Sequence, residues 1–188
     1  MRNTRIILFI VVAVAQLFVA GKMIFDRQHI LNSGDIHLFL MEPVDPNDPF
    51  RGKYLTLSFQ ADYVDIGDSL IELESGQEVV VILGKDQQGY TELVGISSDA
   101  IPGSDYLRLK VEHINRKSDG SRRVYFQMPF DRYYLNERKV KLAEDQLREA
   151  LSDNADQPPY ALVRIQDGQA VLQDLMLGDN SISELLNE

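Results

Sequence analysis

The chain has 188 residues, 44% of them hydrophobic and 26% charged, which is enough for one membrane segment and one folded domain but not for two sizeable cores. It contains no cysteine, which excludes disulfides, thiolate metal sites and a cysteine nucleophile. Without Arg2, Arg5, Lys22, Asp26 and Arg27 near the N-terminus, 15 basic and 28 acidic residues remain, a net charge of −13. A domain this acidic repels nucleic acid, so no nucleic-acid partner is expected.

The first predicted element is a membrane-spanning helix at residues 6–25. Twenty helical residues rise about 30 Å, the thickness of the hydrocarbon core of a bilayer. Arg2 and Arg5 precede this stretch without a neighbouring acid, so the positive-inside rule places the N-terminus in the cytoplasm. The sequence therefore predicts an uncleaved signal-anchor in the cytoplasmic (inner) membrane, single-pass, with an extracytoplasmic, periplasmic domain. A signal peptide cleaved near Ala13–Ala15 and a buried core helix are the alternatives.

The predicted helix also has a candidate interface for a second membrane helix. Ala13, Gln16 and Ala20 are spaced by three and four residues, so they share one helix face. Small residues allow another helix to approach closely, and a glutamine amide can form a hydrogen bond between helices. We therefore expect a membrane-embedded protein partner on this face.

After the helix, period-two patterns and buried-type apolar runs predict eight strands. They lie at residues 35–41, 53–60, 77–84, 90–98, 106–116, 122–130, 160–166 and 169–175. The last six form three hairpins. Two of their turns contain Asp-Gly, at Asp119-Gly120 and Asp167-Gly168, and Asp-Gly is the favoured sequence of two-residue hairpin turns.

One amphipathic helix is predicted at residues 138–154, before Pro158-Pro159. Consecutive antiparallel hairpins with a single helix indicate a mostly β (α+β) fold, an antiparallel β-sandwich or small barrel with one covering α-helix. The predicted organisation is a cytoplasmic start and signal-anchor at 1–28, the β-rich domain at 29–178, and a loosely held acidic tail at 179–188.

The first two predicted strands are joined by a proline-rich loop that carries the candidate site residues. Asp45 and Asp48 could contribute to a calcium loop, but no glycine lies at the sixth position and Thr56 stands where the bidentate glutamate belongs, so a role in turns is favoured and no metal is expected. Arg51 follows the stiff loop and could form a fork to a carboxylate, either as an internal brace or in binding a partner. Gly52 and Tyr54 complete this candidate set.

Candidate catalytic residues are sparse. The histidines His29, His37 and His113 share no ligand spacing, and no serine lies in a nucleophile motif. Paired carboxylates are the remaining possibility for acid–base chemistry. These pairs are Asp65/Asp68 and Glu72/Glu74. Such pairs also arise by chance in an acidic domain, so the chain is expected not to be an enzyme and no cofactor is expected.

The segment that begins at Gly34 resembles the GDYXXLXY family of membrane-anchored bacterial proteins. The family pattern is an N-terminal transmembrane segment, a strand, a PVDPRD-like loop and RGDYxxLxY. The matching residues are Pro43, Val44, Asp45, Pro46, Asp48, Arg51, Gly52, Tyr54 and Leu57. Lys53 replaces the acidic residue of the family and Phe59 its final tyrosine. Residues 132–137 and 160–173 are similar to two later family segments.

The resemblance implies an anchored architecture and an interaction role beside multi-spanning membrane proteins, and it implies no reaction. The leading hypothesis is a membrane-anchored, non-catalytic binding or assembly module, an accessory subunit of an integral membrane protein complex. The alternatives are a cell-envelope hydrolase, built from the acidic pairs, and a module that binds a carbohydrate or cell-wall ligand through Tyr125, Tyr133 and Tyr134. The identity of any small-molecule ligand is left open.

Overall fold

The structure is a computed structural model that describes residues 2–43, 54–67, 72–151 and 157–186. The described helices are α1 (Arg2–Ser33), α2 (Glu137–Ala150) and α3 (Ile182–Leu185). The strands in the first half are β1 (Asp35–Glu42), β2 (Tyr54–Thr56), β3 (Ser58–Phe59), β4 (Tyr63–Ile66), β5 (Glu78–Lys85) and β6 (Thr91–Ser97). Those in the second half are β7 (Tyr106–Arg116), β8 (Arg122–Gln127), β9 (Arg132–Tyr134), β10 (Tyr160–Gln166), β11 (Gln169–Leu177) and β12 (Asn180–Ser181).

Helix α1 contains a segment, Ile6–Ser33, that is long and apolar enough to span a membrane, with a mean hydropathy of 2.4. None of its most apolar window is buried against the rest of the chain, which excludes the alternative of a core helix for this segment. The helix continues to Ser33, so it extends well past the predicted span at residues 6–25.

The β domain consists of two five-stranded antiparallel sheets and a two-stranded ribbon. The first sheet has the order β12-β11-β10-β1-β3, the second β4-β8-β7-β5-β6, and the ribbon pairs β2 with β9. Together they form a nearly closed, barrel-like arrangement, which confirms the mostly β fold class. Alternate residues of both sheets point into one core, where the rings of Phe39, Phe59 and Phe130 lie 5.0–6.1 Å apart.

The three predicted hairpins are present as β5/β6, β7/β8 and β10/β11. In the β10/β11 turn, Asp167 has φ 52° and Gly168 has φ 77°. Positive φ at both central residues is the geometry that Asp-Gly favours in a two-residue hairpin turn. The local turn chemistry thus sets the register of the longest strand pair in the first sheet.

The short strands differ from the sequence prediction. The strand predicted at residues 53–60 consists of β2 and β3, which belong to different sheets. The change of sheet occurs at Leu57, whose N–H donates to the carbonyl of Asp131 at 2.8 Å instead of to either sheet. The strands β4, β9 and β12 have two to four residues each and were not predicted.

Helix α2 confirms the predicted amphipathic helix. Asn136 caps its N-terminus, with its side-chain oxygen accepting from the N–H of Arg138 at 3.2 Å. This cap satisfies one of the free amide groups of the first turn. Ala143 and Leu147 bury the apolar face of α2 in the core.

The C-terminal segment corrects the expectation of a loosely held tail. Residues 180–185 form β12 and α3, and Ile182 is fully buried. Asp174 of β11 holds this segment, because its carboxylate accepts hydrogen bonds from the hydroxyls of Ser181 and Ser183. Ile182 and Leu186 lie one helical turn apart, and both are buried in the core. The acidic composition of the tail gave no indication of this burial.

Candidate interaction surfaces

The proposed site residues fall partly within the described chain. Asp45, Asp48, Arg51 and Gly52 lie outside the described residues. Tyr54 is described, and it begins β2 in the two-stranded ribbon.

Tyr54 lies in a small aromatic and cationic cluster. Its ring centroid is 5.7 Å from that of Tyr134, its direct partner across the ribbon. The guanidinium carbon of Arg132 lies 4.9 Å from the centre of the Tyr54 ring, a cation–π distance. Sequence reasoning missed Arg132 as a site residue, although its segment resembles a family motif. The ribbon thus connects the family signature to the later aromatic segment.

Beside this ribbon is a cavity of about 460 Å³, here called the cationic groove. Arg108 and Lys110 of β7 and Arg132 of β9 provide its positive charge. Glu78 and Asp131 provide negative charge at its wall. Gln127 and Tyr134 complete the polar lining. The groove therefore collects three cations on the surface of a domain whose net charge is strongly negative.

The junction between α1 and the sheet, here called the helix joint, is held by specific contacts. Arg27 donates from Nη1 to the carbonyl of Ala170 at 2.8 Å, and Ile30 is 5% exposed. Arg164 donates from Nη1 to the carbonyl of Gly34 at 2.9 Å. Gly34 lies so close to the backbone that a Cβ there would be 2.7 Å from the carbonyl oxygen of Ile30. The helix joint therefore ties the end of α1 to β10 and β11 by hydrogen bonds and close backbone packing.

The outer face of the first sheet has an apolar patch, here called the apolar face. Its members are the apolar side chains among the half-buried or exposed residues that alternate with core residues in β1, β10 and β11. They are Ile36, Leu38, Leu40, Tyr160, Leu162, Val171 and Met176. The same face also has polar residues, among them Glu42, Arg164, Gln166 and Asp174. The first row across the strands is Ile36–Arg164–Val171, beside the helix joint, and Ile36 is 47% exposed.

The predicted membrane-helix interface lies within the apolar segment of α1. Ala13, Gln16 and Ala20 belong to the described helix, and the side chains of Gln16 and Ala20 are exposed. Contact with another helix at this face stays a prediction.

Asp65, a member of one of the acidic pairs on which the hydrolase alternative rests, is bound by two cations. Asp65 accepts two hydrogen bonds from Arg123, both at 2.8 Å, and one from Lys117 at 2.9 Å. These cations hold the pKa of Asp65 well below its usual range. Asp65 is therefore an ion-paired carboxylate, which is unsuited to donate a proton near neutral pH. Asp68 lies outside the described residues.

The tyrosines of the carbohydrate-binding alternative have different neighbours. Tyr125 stacks on His113, with ring centroids 4.3 Å apart. The hydroxyl of Tyr133 is 3.4 Å from the carboxylate of Asp174, and burial raises the pKa of this tyrosine to about 12. Tyr134 faces the cationic groove. Of the three predicted rings, only Tyr134 lines this groove.

His37 is the buried histidine of β1. It is 3% exposed, with Nδ1 3.4 Å from the hydroxyl of Thr91 and Nε2 3.6 Å from the carboxylate of Asp105. Burial lowers its pKa, so the neutral imidazole is favoured. This arrangement agrees with a structural role for His37, linking β1 to β6 and to the residues before β7.

Fold and surfaces together define a mostly β domain that is docked on a helix of membrane-spanning length. The sequence of the GDYXXLXY protein family matches residues 16–175, so this chain belongs to that family. The match includes the last part of the apolar helix segment, the ribbon, the cationic groove and the apolar face except Met176. Comparison with curated proteins and with solved structures finds no match.

Proposed function

We propose that this protein is a single-pass membrane-anchored binding module that assembles with an integral membrane protein. Its domain lies on the extracytoplasmic side of the cytoplasmic (inner) membrane. The observation that carries the proposal is the apolar face, which begins at the helix joint. A partner that packs against α1 can continue directly onto this face.

The helix joint supports assembly over simple tethering. A tether requires only a flexible connection, whereas Arg27, Ile30 and Gly34 hold the helix in one orientation on the sheet. A fixed orientation presents the membrane segment and the domain to one partner as a single surface. This lowers the ordering cost of binding. Ala13, Gln16 and Ala20 are the proposed membrane part of this surface.

The composition of the apolar face supports a protein partner. Seven apolar side chains lie together on this face and outnumber its polar ones, while the domain as a whole is strongly acidic. Exposed apolar patches on acidic domains are typical of protein interfaces. The single charge in the first row, Arg164, is already bonded to Gly34 and Gln173.

Site-specific photo-crosslinking in native membranes tests this proposal. A photoreactive phenylalanine analogue replaces Ile36 in one variant and Val94 in the other. Val94 is a matched control because it is 56% exposed but belongs to the second sheet. We expect position 36, but not position 94, to form an adduct with a multi-spanning membrane protein, identified by mass spectrometry.

Three results would contradict the proposal. One is an adduct of twice the chain's own mass, which would identify a second copy on the apolar face. Another is equal labelling at positions 36 and 94. The third is the absence of any protein adduct at position 36 in membranes where the chain is folded.

A further inference from the structure

The cationic groove has more positive than negative charge, with three cations and two acids in its lining. Among the described residues, the nearest carboxylate to Arg132 is that of Asp131, at 3.9 Å, and neither Arg108 nor Lys110 forms an ion pair. Elsewhere in the same sheet, Lys117 and Arg123 bind Asp65 at 2.8–2.9 Å. Cations in an acidic domain normally find such partners. The excess of three cations over two acids, with one long ion pair between them, marks a place where a negative charge from another molecule would be favourable.

The spacing of these cations fits an extended chain. Arg108 and Lys110 are two residues apart on β7 and point to the same side. Their Cα atoms are thus about 6.6–6.8 Å apart, the repeat of alternate residues in any extended peptide. Lys110 pairs in register with Glu78 on one side and Gln127 on the other. A peptide with acidic residues at every second position would match this row.

Arg132 adds a pre-oriented contact at the other wall of the groove. Its guanidinium lies against the ring of Tyr54, and a hydrogen bond with the Tyr134 side chain together with the Asp131 charge raises its pKa further. The cation–π contact restrains the guanidinium, and the N–H groups that Tyr134 does not use can donate to a carboxylate. The ring of Tyr134 is 69% exposed and offers an apolar surface to the same ligand.

We propose that the cationic groove binds an extended acidic peptide segment of the membrane partner, an inference that rests on the proposed function. Glu78 and Asp131 at the wall disfavour a compact polyanion such as a phosphate group, because they repel charge concentrated at one point. An extended peptide can place its carboxylates at Arg108, Lys110 and Arg132 and its neutral residues beside the two acids. Long-range attraction would guide such a segment to the groove.

The test uses the full chain in detergent and two labelled peptides of equal length. One alternates glutamate with serine, and the other alternates glutamine with serine. Fluorescence anisotropy measures binding to the wild type, to Lys110→Glu and to Arg132→Glu. Lys141→Glu is the control, because it makes the same change of charge on the exposed side of α2.

We expect the glutamate peptide to bind at least about tenfold more tightly than the glutamine peptide, since charge complementarity drives the contact. Lys110→Glu and Arg132→Glu should each weaken binding by a similar factor while the chain stays folded at the assay temperature, and Lys141→Glu should bind as the wild type does. Equal binding of both peptides, or equal loss in the control, would overturn the inference. Complete displacement by millimolar inorganic phosphate at constant ionic strength would also overturn it and would identify a small-anion site.

The two proposals fail separately. Peptide binding without a position-36 adduct would contradict the proposed assembly with a membrane partner but support the groove as an acidic-peptide site. A position-36 adduct without peptide binding would support the assembly function and contradict the proposed role of the groove.

Discussion

Asp62 is a titratable residue whose environment is set by several strands. Burial raises the pKa of its carboxyl group to about 6, and the charges of Glu42 and Glu112 add to this shift. The nearby His113 acts in the opposite direction. The protonated form of Asp62 is thus favoured in the folded state more than in the unfolded chain, where its pKa is 3.8.

We predict that Asp62→Asn stabilises the protein at neutral pH. Because the folded pKa is raised, the contribution of Asp62 is fully present below pH 3.8 and is lost as the pH rises to about 6. An asparagine has no charge to bury, so the variant should gain about 1–2 kcal/mol in free energy of unfolding above this window and nothing below it. Denaturant unfolding of the detergent-solubilised chain at several pH values measures the difference.

Asp119→Asn supplies the opposite control. Hydrogen bonds from Ser121 lower the pKa of Asp119, so its contribution is present above the unfolded pKa and is lost as the pH falls. This variant should be less stable than the wild type at neutral pH, with the difference closing in acid. If the stability difference from the wild type changes with pH in the same direction for both variants, burial of the Asp62 carboxylate does not destabilise the protein.

Gly168 is a second position where a single residue determines local geometry. Its φ is +77°, and an added Cβ would lie 2.6 Å from the ring of Tyr106 and 3.0 Å from Arg108. Gly103 has a similar φ of +81° but nothing within 4 Å of such a Cβ. We predict that Gly103→Ala costs about 1 kcal/mol and that Gly168→Ala costs about 1–2 kcal/mol more. Equal losses of stability for the two variants in thermal unfolding would mean that the Tyr106 side chain moves aside at no measurable cost.

These residues also show how far sequence reasoning extends. The turn at Asp167-Gly168 was predictable because its chemistry lies within two adjacent residues. The raised pKa of Asp62 was not, because Glu42 and Glu112 come from distant strands. Tyr54 was a predicted site residue, whereas its partner Arg132 was not, because the β2/β9 pairing that joins them is only three residues long.

At the scale of elements, the helix joint gives the clearest prediction. Gly34→Ala would place a methyl group 2.7 Å from the carbonyl oxygen of Ile30 and 3.0 Å from that of Ile165. Both contacts are with backbone, which cannot turn away as a side chain can. We therefore expect a loss of about 2 kcal/mol or more in stability, measured by thermal unfolding in detergent.

Gly21→Ala is the matched control for the helix joint. Gly21 lies in α1, the helix that ends just before Gly34, and nothing is within 4 Å of a Cβ added at Gly21. Alanine is also the better helix former, so this variant should be neutral or slightly stabilised. A comparable loss in both variants would place the effect in the helix itself and not in its docking on the sheet.

The long elements were predictable and their docking was not. Hairpins such as β5/β6 and β7/β8 can be predicted from period-two patterns joined by local turns. The helix joint depends on a hydrogen bond between Arg27 and Ala170, which belong to opposite ends of the chain. No local pattern contains such a contact. The same reason explains why the change of sheet at Leu57 escaped prediction.

For the whole molecule, we predict a cytoplasmic N-terminus and an extracytoplasmic C-terminus. A reporter that is active only outside the cytoplasm, fused after Glu188, should be active. Replacing Arg2 and Arg5 by glutamate leaves Lys22 and Arg27 as the dominant flanking charges and should reduce that activity. A stable but inactive wild-type fusion would contradict the predicted orientation.

The position of β1 in the first sheet also has a consequence for how the chain is made. β1 leaves the ribosome directly after α1, yet one of its two neighbours is β10, which is synthesised only after the whole second sheet. Until then, one edge of β1 has no partner, and a strand edge without a partner is prone to aggregation and proteolysis. A chain that ends before Tyr160 should therefore be degraded rapidly, although it contains α1 and the whole second sheet. Synthesis of β10 is thus the step that commits the first sheet to its folded state.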